Sequence, residues 1–169
     1  PSEGEKFLMC KDNKIHTKYM AEASRISWEK MHDGVGGPFG AVIVKHGDVV
    51  GVGFNKVTTD NDPTAHAEVV AIRDACKKLG TFSLKGAVIY CSCEPCPMCL
   101  ASIYWARLDR VYYANSRYDA AQIGFDDDFL YEELAKGIND RTMEMIHLPD
   151  DIATIAFDEW KVKKNKIAY

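Results

Sequence analysis

The amino-acid sequence predicts a layered α/β sandwich with a mixed sheet. Helical and extended segments follow one another in the order α-β-β-α-β-α-β-α over 169 residues, a length that fits one domain. A short turn joins the first two strands, which forces an antiparallel pair, whereas the later β-α-β units favour parallel pairing. We therefore expect a single domain over residues 1–169.

The first elements are predicted by hydrophobic spacing. A helix over 14–33 has one apolar face, because apolar residues recur every three or four positions. These residues are Ile15, Tyr19, Ala23 and Ile26. The β-rich run 39–44 and its partner 49–55 flank a turn at 46–48, which predicts a β-hairpin.

The remaining elements are bounded by residues that favour helix ends. Gly80 occupies the position after a helix where glycine is favoured, and Pro95 occupies the first position of the following helix. The elements are a loop over 58–63, a helix over 65–79, a strand over 87–91, a helix over 95–106, a strand over 110–114, a helix over 126–136, an edge strand over 143–148 and a helix over 150–164.

Composition and charge exclude several classes of protein. Hydrophobic residues make up 47% and charged residues 27%, as in ordinary globular proteins. No apolar run approaches the ~20 residues of a membrane helix, and the first residues hold no apolar signal-peptide region, so we expect a cytoplasmic protein without a membrane partner. The net charge of −4 disfavours nucleic acid as a partner, because proteins that bind phosphates usually carry a basic excess. A neutral small molecule suits this charge better.

The cysteines indicate a metal site. Four of the six fall within nine residues, whereas a disulfide framework would spread them along a short secreted chain. The six are Cys10, Cys76, Cys91, Cys93, Cys96 and Cys99.

His66, Cys96 and Cys99 are the candidate ligands of a catalytic zinc ion. Three protein ligands leave the fourth tetrahedral position for water, and bound zinc lowers the pKa of that water to about 7. Glu68 follows His66 by two residues and can carry the proton of the water without binding the metal. A closed site with Cys93 as a fourth ligand stays open, since Cys93 and Cys96 also form a C-x-x-C pair.

These residues match a known signature. H-x-E followed by P-C-x-x-C, here at 66–68 and 95–99, is the pattern of zinc nucleobase deaminases. The wider resemblance rests on GGPFGAVIVK (36–45), DPTAHAEVVAIRDACKKLG (62–80), SCEPCPMCLASIYWAR (92–107), DAAQIGFDDDFLYEEL (119–134) and the terminal Tyr169. In these stretches the chain resembles the purine-base branch of the cytidine deaminase superfamily, and most closely its guanine deaminases.

The resemblance implies a cytidine deaminase-like three-layer α/β/α sandwich with a mixed central sheet and one Zn²⁺ per subunit. The implied reaction is hydrolysis of guanine to xanthine and ammonia, a step of purine catabolism or salvage. Glu68 would move the proton and Asp127 would be a second catalytic carboxylate. Asp126 and Asp128 stay open as alternatives to Asp127, because one of the three carboxylates can cap the following helix.

The resemblance also implies a set of substrate contacts. Asn55 would hydrogen-bond the purine through its side-chain amide, and the Ala67 backbone N–H would meet a substrate carbonyl. Phe39 and Trp105 would line the pocket, and Tyr169 would close it.

The implied assembly is a homodimer, in which some members of this branch exchange the C-terminal segment, here 150–169. Other functions stay open. A guanosine deaminase would need room for ribose where Tyr169 would lie, and cytosine deaminases and tRNA adenosine deaminases share the zinc site. A non-enzymatic zinc module would have protein ligands at all four positions.

Overall fold

A mixed sheet of four strands organises the chain up to Asp127. The computed structural model describes the backbone of residues 3–169 and the side chains of residues 13–169. The strands are β1 (Gly40–Lys45), β2 (Asp48–Phe54), β3 (Ala87–Cys93) and β4 (Arg110–Asn115). Their order is β2-β1-β3-β4, and β1 is antiparallel to β2 and β3 while β3 and β4 are parallel. The predicted mixed sheet is confirmed, with the antiparallel pair at the hairpin and the parallel pair at a β-α-β unit.

Helices cover both faces of this sheet. On one face, Tyr19, Ala23 and Ile26 pack against Val42 and Tyr90. On the other face, a second apolar core joins the sheet to two further helices. The helices of this part of the chain are α1 (Glu3–His32), α2 (Val57–Asp60), α3 (Ala67–Leu79), α4 (Pro97–Trp105) and α5 (Arg117–Gln122). The result is the predicted three-layer α/β/α sandwich, although Ile15 of the predicted apolar face is 46% exposed.

Gly53 lets β2 and α3 approach each other closely. A Cβ atom at residue 53 would lie 2.0 Å from the Ala67 carbonyl oxygen and 2.4 Å from the Ala71 nitrogen. Glycine normally weakens a strand, but here it marks a close backbone approach. Because Ala67 is the first residue of α3, this contact fixes where the helix begins relative to the sheet.

The start of α4 differs from the prediction. The helix begins at Pro97 rather than Pro95, and Cys96 has the extended backbone of an N-cap residue, with φ −66° and ψ 169°. The ring of Pro97 disfavours helical geometry at the residue before it, so Cys96 cannot join the helix.

Three other predictions need correction. The predicted loop 58–63 contains part of the one-turn helix α2. The prediction omitted α5, although Ser116 and Asp119 form the capping box that an S-x-x-D pattern signals. The predicted edge strand over 143–148 is wrong, since this segment pairs with no strand among residues 3–169.

Residues 128–169 form a second compact unit. It contains α6 (Asp128–Ala135), a 3₁₀ turn (Ile138–Asp140) and α7 (Asp151–Val162). The two predicted helices are therefore confirmed with shorter ends. Neither α6 nor α7 has a buried residue, and Phe157 is 83% exposed. Over the described part of the chain, no helix has the length and apolar character needed to cross a membrane.

We expect Gly53→Ala to lower the free energy of unfolding by about 3 kcal/mol, because the added methyl group would overlap main-chain atoms of α3. Urea titration followed by circular dichroism measures this loss. Gly47→Ala is the control, since Gly47 has φ +85° and a methyl group added there would meet no heavy atom within 4 Å. The control should lose only about 1 kcal/mol for the left-handed backbone. Equal losses in the two variants would contradict the close approach.

Candidate active site

The N-termini of α3 and α4 bring three metal-binding side chains together. His66 Nδ1 lies 3.6 Å from Cys96 Sγ and 3.5 Å from Cys99 Sγ. Their three ligand atoms all lie within 4.8 Å of one another. The residues singled out by the H-x-E and P-C-x-x-C patterns therefore form one cluster, although 30 residues separate His66 from Cys96.

Local backbone geometry aims these side chains at each other. His66 is the N-cap of α3 and Cys96 is the N-cap of α4, and neither side chain makes a capping hydrogen bond. N-cap side chains ordinarily accept a hydrogen bond from a backbone N–H of the first turn. Because neither side chain does so here, both are available to bind a metal. Cys99, buried in the first turn of α4, supplies the third ligand. Both helix dipoles favour negative charge at this point.

The spacing of the three atoms fits a zinc ion. Tetrahedral zinc with bonds of about 2.3 Å to sulfur and about 2.0 Å to nitrogen places nitrogen and sulfur about 3.5 Å apart. The two separations observed here are 3.5 and 3.6 Å. A site with three protein ligands keeps its fourth position for water, as catalytic zinc sites do.

Cys93 does not belong to this cluster. Its thiol donates to the Ser116 carbonyl oxygen at 3.7 Å. Burial is the main reason that the pKa of Cys93 is raised to about 11, which keeps the side chain protonated at neutral pH. The described structure therefore favours the open site over the closed one with Cys93. The side chain of Cys10 lies outside the described residues.

Hydrogen bonding within the cluster favours a thiolate. The pKa of Cys96 is lowered to about 4, mainly because Cys99 hydrogen-bonds to it, with a further contribution from His66. The same contact raises the pKa of Cys99, which is the donor of the pair. Hydrogen bonding to Cys96 also raises the pKa of His66. A bound cation would favour the thiolate form of both cysteines.

Glu68 lies beside the three ligands without being one of them. It is the second residue of α3, is 8% exposed, and interacts with the Cys99 thiol. Burial raises the pKa of its carboxyl group. A carboxylate in such a place can accept a proton and release it again more readily than an exposed one.

Two of the predicted substrate contacts lie in well-defined positions. Asn55 is 8% exposed, its N–H donates to the Phe39 carbonyl at 3.1 Å, and its Oδ1 accepts from the Val57 N–H at 3.2 Å. Ala67 begins α3, so its N–H is one of those that a helix leaves without an internal acceptor.

Phe125 is an aromatic neighbour that the sequence patterns did not single out. Its ring packs edge-on against Phe39, with centroids 4.9 Å apart. The stretch 119–134 pointed to this segment, but no local pattern identifies the partner of a single aromatic side chain.

The other predicted residues stand as follows. The Asp127 charge is a minor cause of the raised pKa of Cys93, after burial, Glu68 and Glu94. Trp105 is 64% exposed, with the Arg107 guanidinium 5.8 Å from its ring centroid. Tyr169 is 74% exposed and lines a cavity of the second unit with Phe157. The roles of these three residues stay predictions.

An α/β/α sandwich with a three-ligand zinc site and an adjacent glutamate at two helix N-termini defines a zinc-dependent aminohydrolase. Residues 13–115 match the family described as the cytidine and deoxycytidylate deaminase zinc-binding region. The chain belongs to this family.

Individual relatives share different amounts of the chain. Guanine deaminase from Bacillus subtilis is 48% identical over 154 residues, covering 91% of this chain and 99% of the relative. An X-ray structure of guanine deaminase from that organism superimposes with a TM-score of 0.88 at 48% identity, covering 91% of this chain and 98% of that one. A structure of guanine deaminase from Nitrosomonas europaea gives a TM-score of 0.62 at 28% identity, covering 64% of this chain and 63% of that one.

A tRNA-specific adenosine deaminase from Aquifex aeolicus is also similar. It is 42% identical over 77 residues, which make up 46% of this chain and 51% of the relative. The likeness to the B. subtilis guanine deaminase therefore extends over about twice as much of the chain.

We expect Cys99→Ser to lose zinc and Cys93→Ser to keep it, because only the first variant removes an atom of the ligand cluster. Zinc content after dialysis, measured by mass spectrometry, checks this. Cys93→Ser is a matched control, since it makes the same chemical change in a buried cysteine of the same region. Loss of zinc from Cys93→Ser with retention in Cys99→Ser would reverse the assignment.

Proposed function

We propose that this protein is a guanine deaminase, which converts guanine and water to xanthine and ammonia in purine catabolism or salvage. The observation that carries the proposal is the buried Glu68 beside the open cluster of His66, Cys96 and Cys99. The near full-length similarity to a guanine deaminase supports guanine as the substrate.

His66, Cys96 and Cys99 would hold one zinc ion in each subunit. Bound zinc supplies Lewis acidity, which lowers the pKa of a water molecule to about 7. The residues around the site then have to hold the base and to move protons.

Glu68 is the proton carrier of this proposal. It takes a proton from the attacking water as the water oxygen bonds to C2 of guanine, and it delivers that proton to a ring nitrogen. The second proton of the water, now on the oxygen bound to C2, passes to the amine as the C2–amine bond breaks, so the amine leaves as ammonia and the oxygen becomes the carbonyl of xanthine. Burial of Glu68 suits this task, because a raised pKa brings the carboxyl group closer to the working pH.

Asp127 would assist the departure of the amine. With Glu68 alone, one carboxylate would have to take a proton from the water and also assist protonation of the amine at C2. A second proton carrier is therefore useful. The nearness of Asp127 to Cys93, three residues before Cys96, supports its place in the site.

Asn55 would orient the purine. Its Oδ1 already accepts the Val57 N–H, which leaves the amide nitrogen as the donor toward an acceptor atom of the base. The N–H of Ala67 would meet the substrate carbonyl, and Phe39 with Trp105 would line the pocket. The packing of Phe39 on Phe125 supports an aromatic wall on that side.

We expect Glu68→Gln to lower kcat for ammonia release from guanine by about 10³-fold while retaining zinc, because proton transfer is lost and no ligand is removed. Coupled ammonia assays with guanine, guanosine, adenine and cytosine measure this. Glu94→Gln is the control: Glu94 accepts the Arg117 N–H at 2.9 Å, and a glutamine oxygen keeps that hydrogen bond.

Release from guanosine rather than guanine would overturn the substrate assignment and favour a nucleoside deaminase. Equal activity of Glu68→Gln and wild type would overturn the catalytic role of Glu68.

We further propose a cytoplasmic homodimer in which residues 150–169 are exchanged between subunits. All five cysteines with described side chains are free, which suits a reducing compartment. Apolar side chains are exposed on α4, where Tyr104 is 72% exposed, and on α7, where Ile152 is 71% exposed. Exposed apolar surface of this kind marks contacts between subunits. In the exchanged dimer, Tyr169 closes the pocket of the partner, so residues 1–169 act as one deaminase domain only within the pair.

Mixing two inactive variants tests this exchange. We expect Glu68→Gln and a variant lacking residues 165–169 each to have low activity, and their unfolded and co-refolded mixture to recover about a quarter of the wild-type sites. The recovered sites combine an intact Glu68 from one chain with the tail of the other. A mixture no more active than the sum of its parts, or sedimentation at the 18.9 kDa mass of one chain, would contradict the exchanged dimer.

A further inference from the structure

We propose that Gly36 is a positioning residue, which sets the place of Asn55 and through it the place of the purine. A Cβ atom at residue 36 would lie 2.1 Å from the Asn55 carbonyl oxygen and 2.8 Å from Asn55 Oδ1. Real Cβ atoms essentially never come within 3.0 Å of a heavy atom outside their own residue and its chain neighbours, so any side chain at residue 36 must move Asn55 or the loop. Gly36 is needed for space, since it is not among the glycines with positive φ.

Asn55 has little freedom to escape such an overlap. Its N–H donates to the Phe39 carbonyl at 3.1 Å, and its Oδ1 accepts the Val57 N–H at 3.2 Å. The next residue, Lys56, donates its N–H to the Ala65 carbonyl at 2.9 Å. These hydrogen bonds hold Asn55 and the following peptide in place, and Gly36 lies against the carbonyl oxygen and Oδ1 of Asn55.

The loop that carries Gly36 is itself tied down. The Thr59 hydroxyl of α2 donates to the Val35 carbonyl oxygen. This hydrogen bond links the residue before Gly36 to the helix that follows Asn55. The 33–39 loop and the 55–60 segment therefore form one connected support, although neither contains a zinc ligand.

The kinetic consequence rests on the proposed function, in which Asn55 binds the base. Displacing Asn55 weakens binding of the purine without removing Glu68 or a metal ligand. We expect Gly36→Ala to raise KM for guanine about tenfold, since a hydrogen bond to a buried group is lost, while kcat changes less than about threefold and zinc is retained.

A double-mutant cycle separates positioning from a general loss of structure. Asn55→Ala should raise KM by about as much as Gly36→Ala, and the double variant should lie within about twofold of Asn55→Ala alone. Multiplied effects, of about a hundredfold in KM, would overturn the proposal. Gly34→Ala is the control from the same loop: its left-handed backbone, φ +71°, should cost about 1 kcal/mol of stability, but the added methyl group would meet no heavy atom within 4 Å and so would not overlap Asn55, and KM should stay at the wild-type value.

Thr59→Val is a second variant that adds no atom at residue 36. It removes the hydrogen bond to Val35, and we expect it to raise KM about threefold in the wild type and to have no effect in the Asn55→Ala background. Should Gly36→Ala fail to fold, a Thr59→Val effect that persists without the Asn55 side chain would still overturn the proposal.

A crystal structure of zinc-loaded Gly36→Ala provides a readout that needs no substrate. We expect the Asn55 peptide and amide to lie about 1 Å from their wild-type places, the distance needed to restore van der Waals contact with the new methyl group. Asn55 unmoved, with only the 33–39 loop displaced, would overturn the proposal. Wild-type protein inactive on guanine would instead reject the proposed function, and the crystal structure would then decide the role of Gly36 by itself.

Discussion

The site depends on one constraint: the N-termini of α3 and α4 lie next to each other. His66 and Cys96 occupy N-cap positions and leave the capping hydrogen bonds unmade, at a cost of about 1 kcal/mol each. A bound metal offsets that cost, because free energy of metal binding is coupled to folding. The same helix ends leave N–H groups without internal acceptors, so the arrangement that stabilises the thiolates also offers the Ala67 N–H to a ligand.

Gly53 and Gly36 each allow a close backbone contact next to a different part of this site. Gly53 brings β2 against the first turn of α3, which positions His66 and Glu68 relative to the sheet. Gly36 lies against Asn55, the residue that directly follows the same strand. In the proposed mechanism, the first contact supports His66 and Glu68, and the second supports Asn55, the residue proposed to hold the base. A substitution at Gly36 should therefore leave the zinc site measurable, and a substitution at Gly53 should leave the contact with Asn55 measurable.

The cluster of His66, Cys96 and Cys99 could be predicted from the sequence because its signals are local: a spacing of three between the two cysteines, and a helix that begins directly after His66 and another directly after Cys96. The omitted helix α5 was also signalled locally, by the Ser116–Asp119 capping box. The start of α4 needed the preference of proline for the first helical position to be applied to Pro97 instead of Pro95. The place of Cys93 depended on the direction of its thiol at the end of β3, and that is settled by a distant acceptor, Ser116. Spacing alone contains no such information.

Association is the property that a single-chain pattern encodes least. Residues Cys99 and Ile103 bury one side of α4 within the chain, yet Leu100, Tyr104 and Trp105 leave the other sides apolar as well. A helix that is apolar on all sides is normally buried on all sides, so α4 supports the proposed association of subunits. The spacing of apolar residues along a helix indicates that an apolar face exists, but it does not indicate which chain covers that face. Contacts within a chain and contacts between two chains obey the same physical chemistry and select the same residue types.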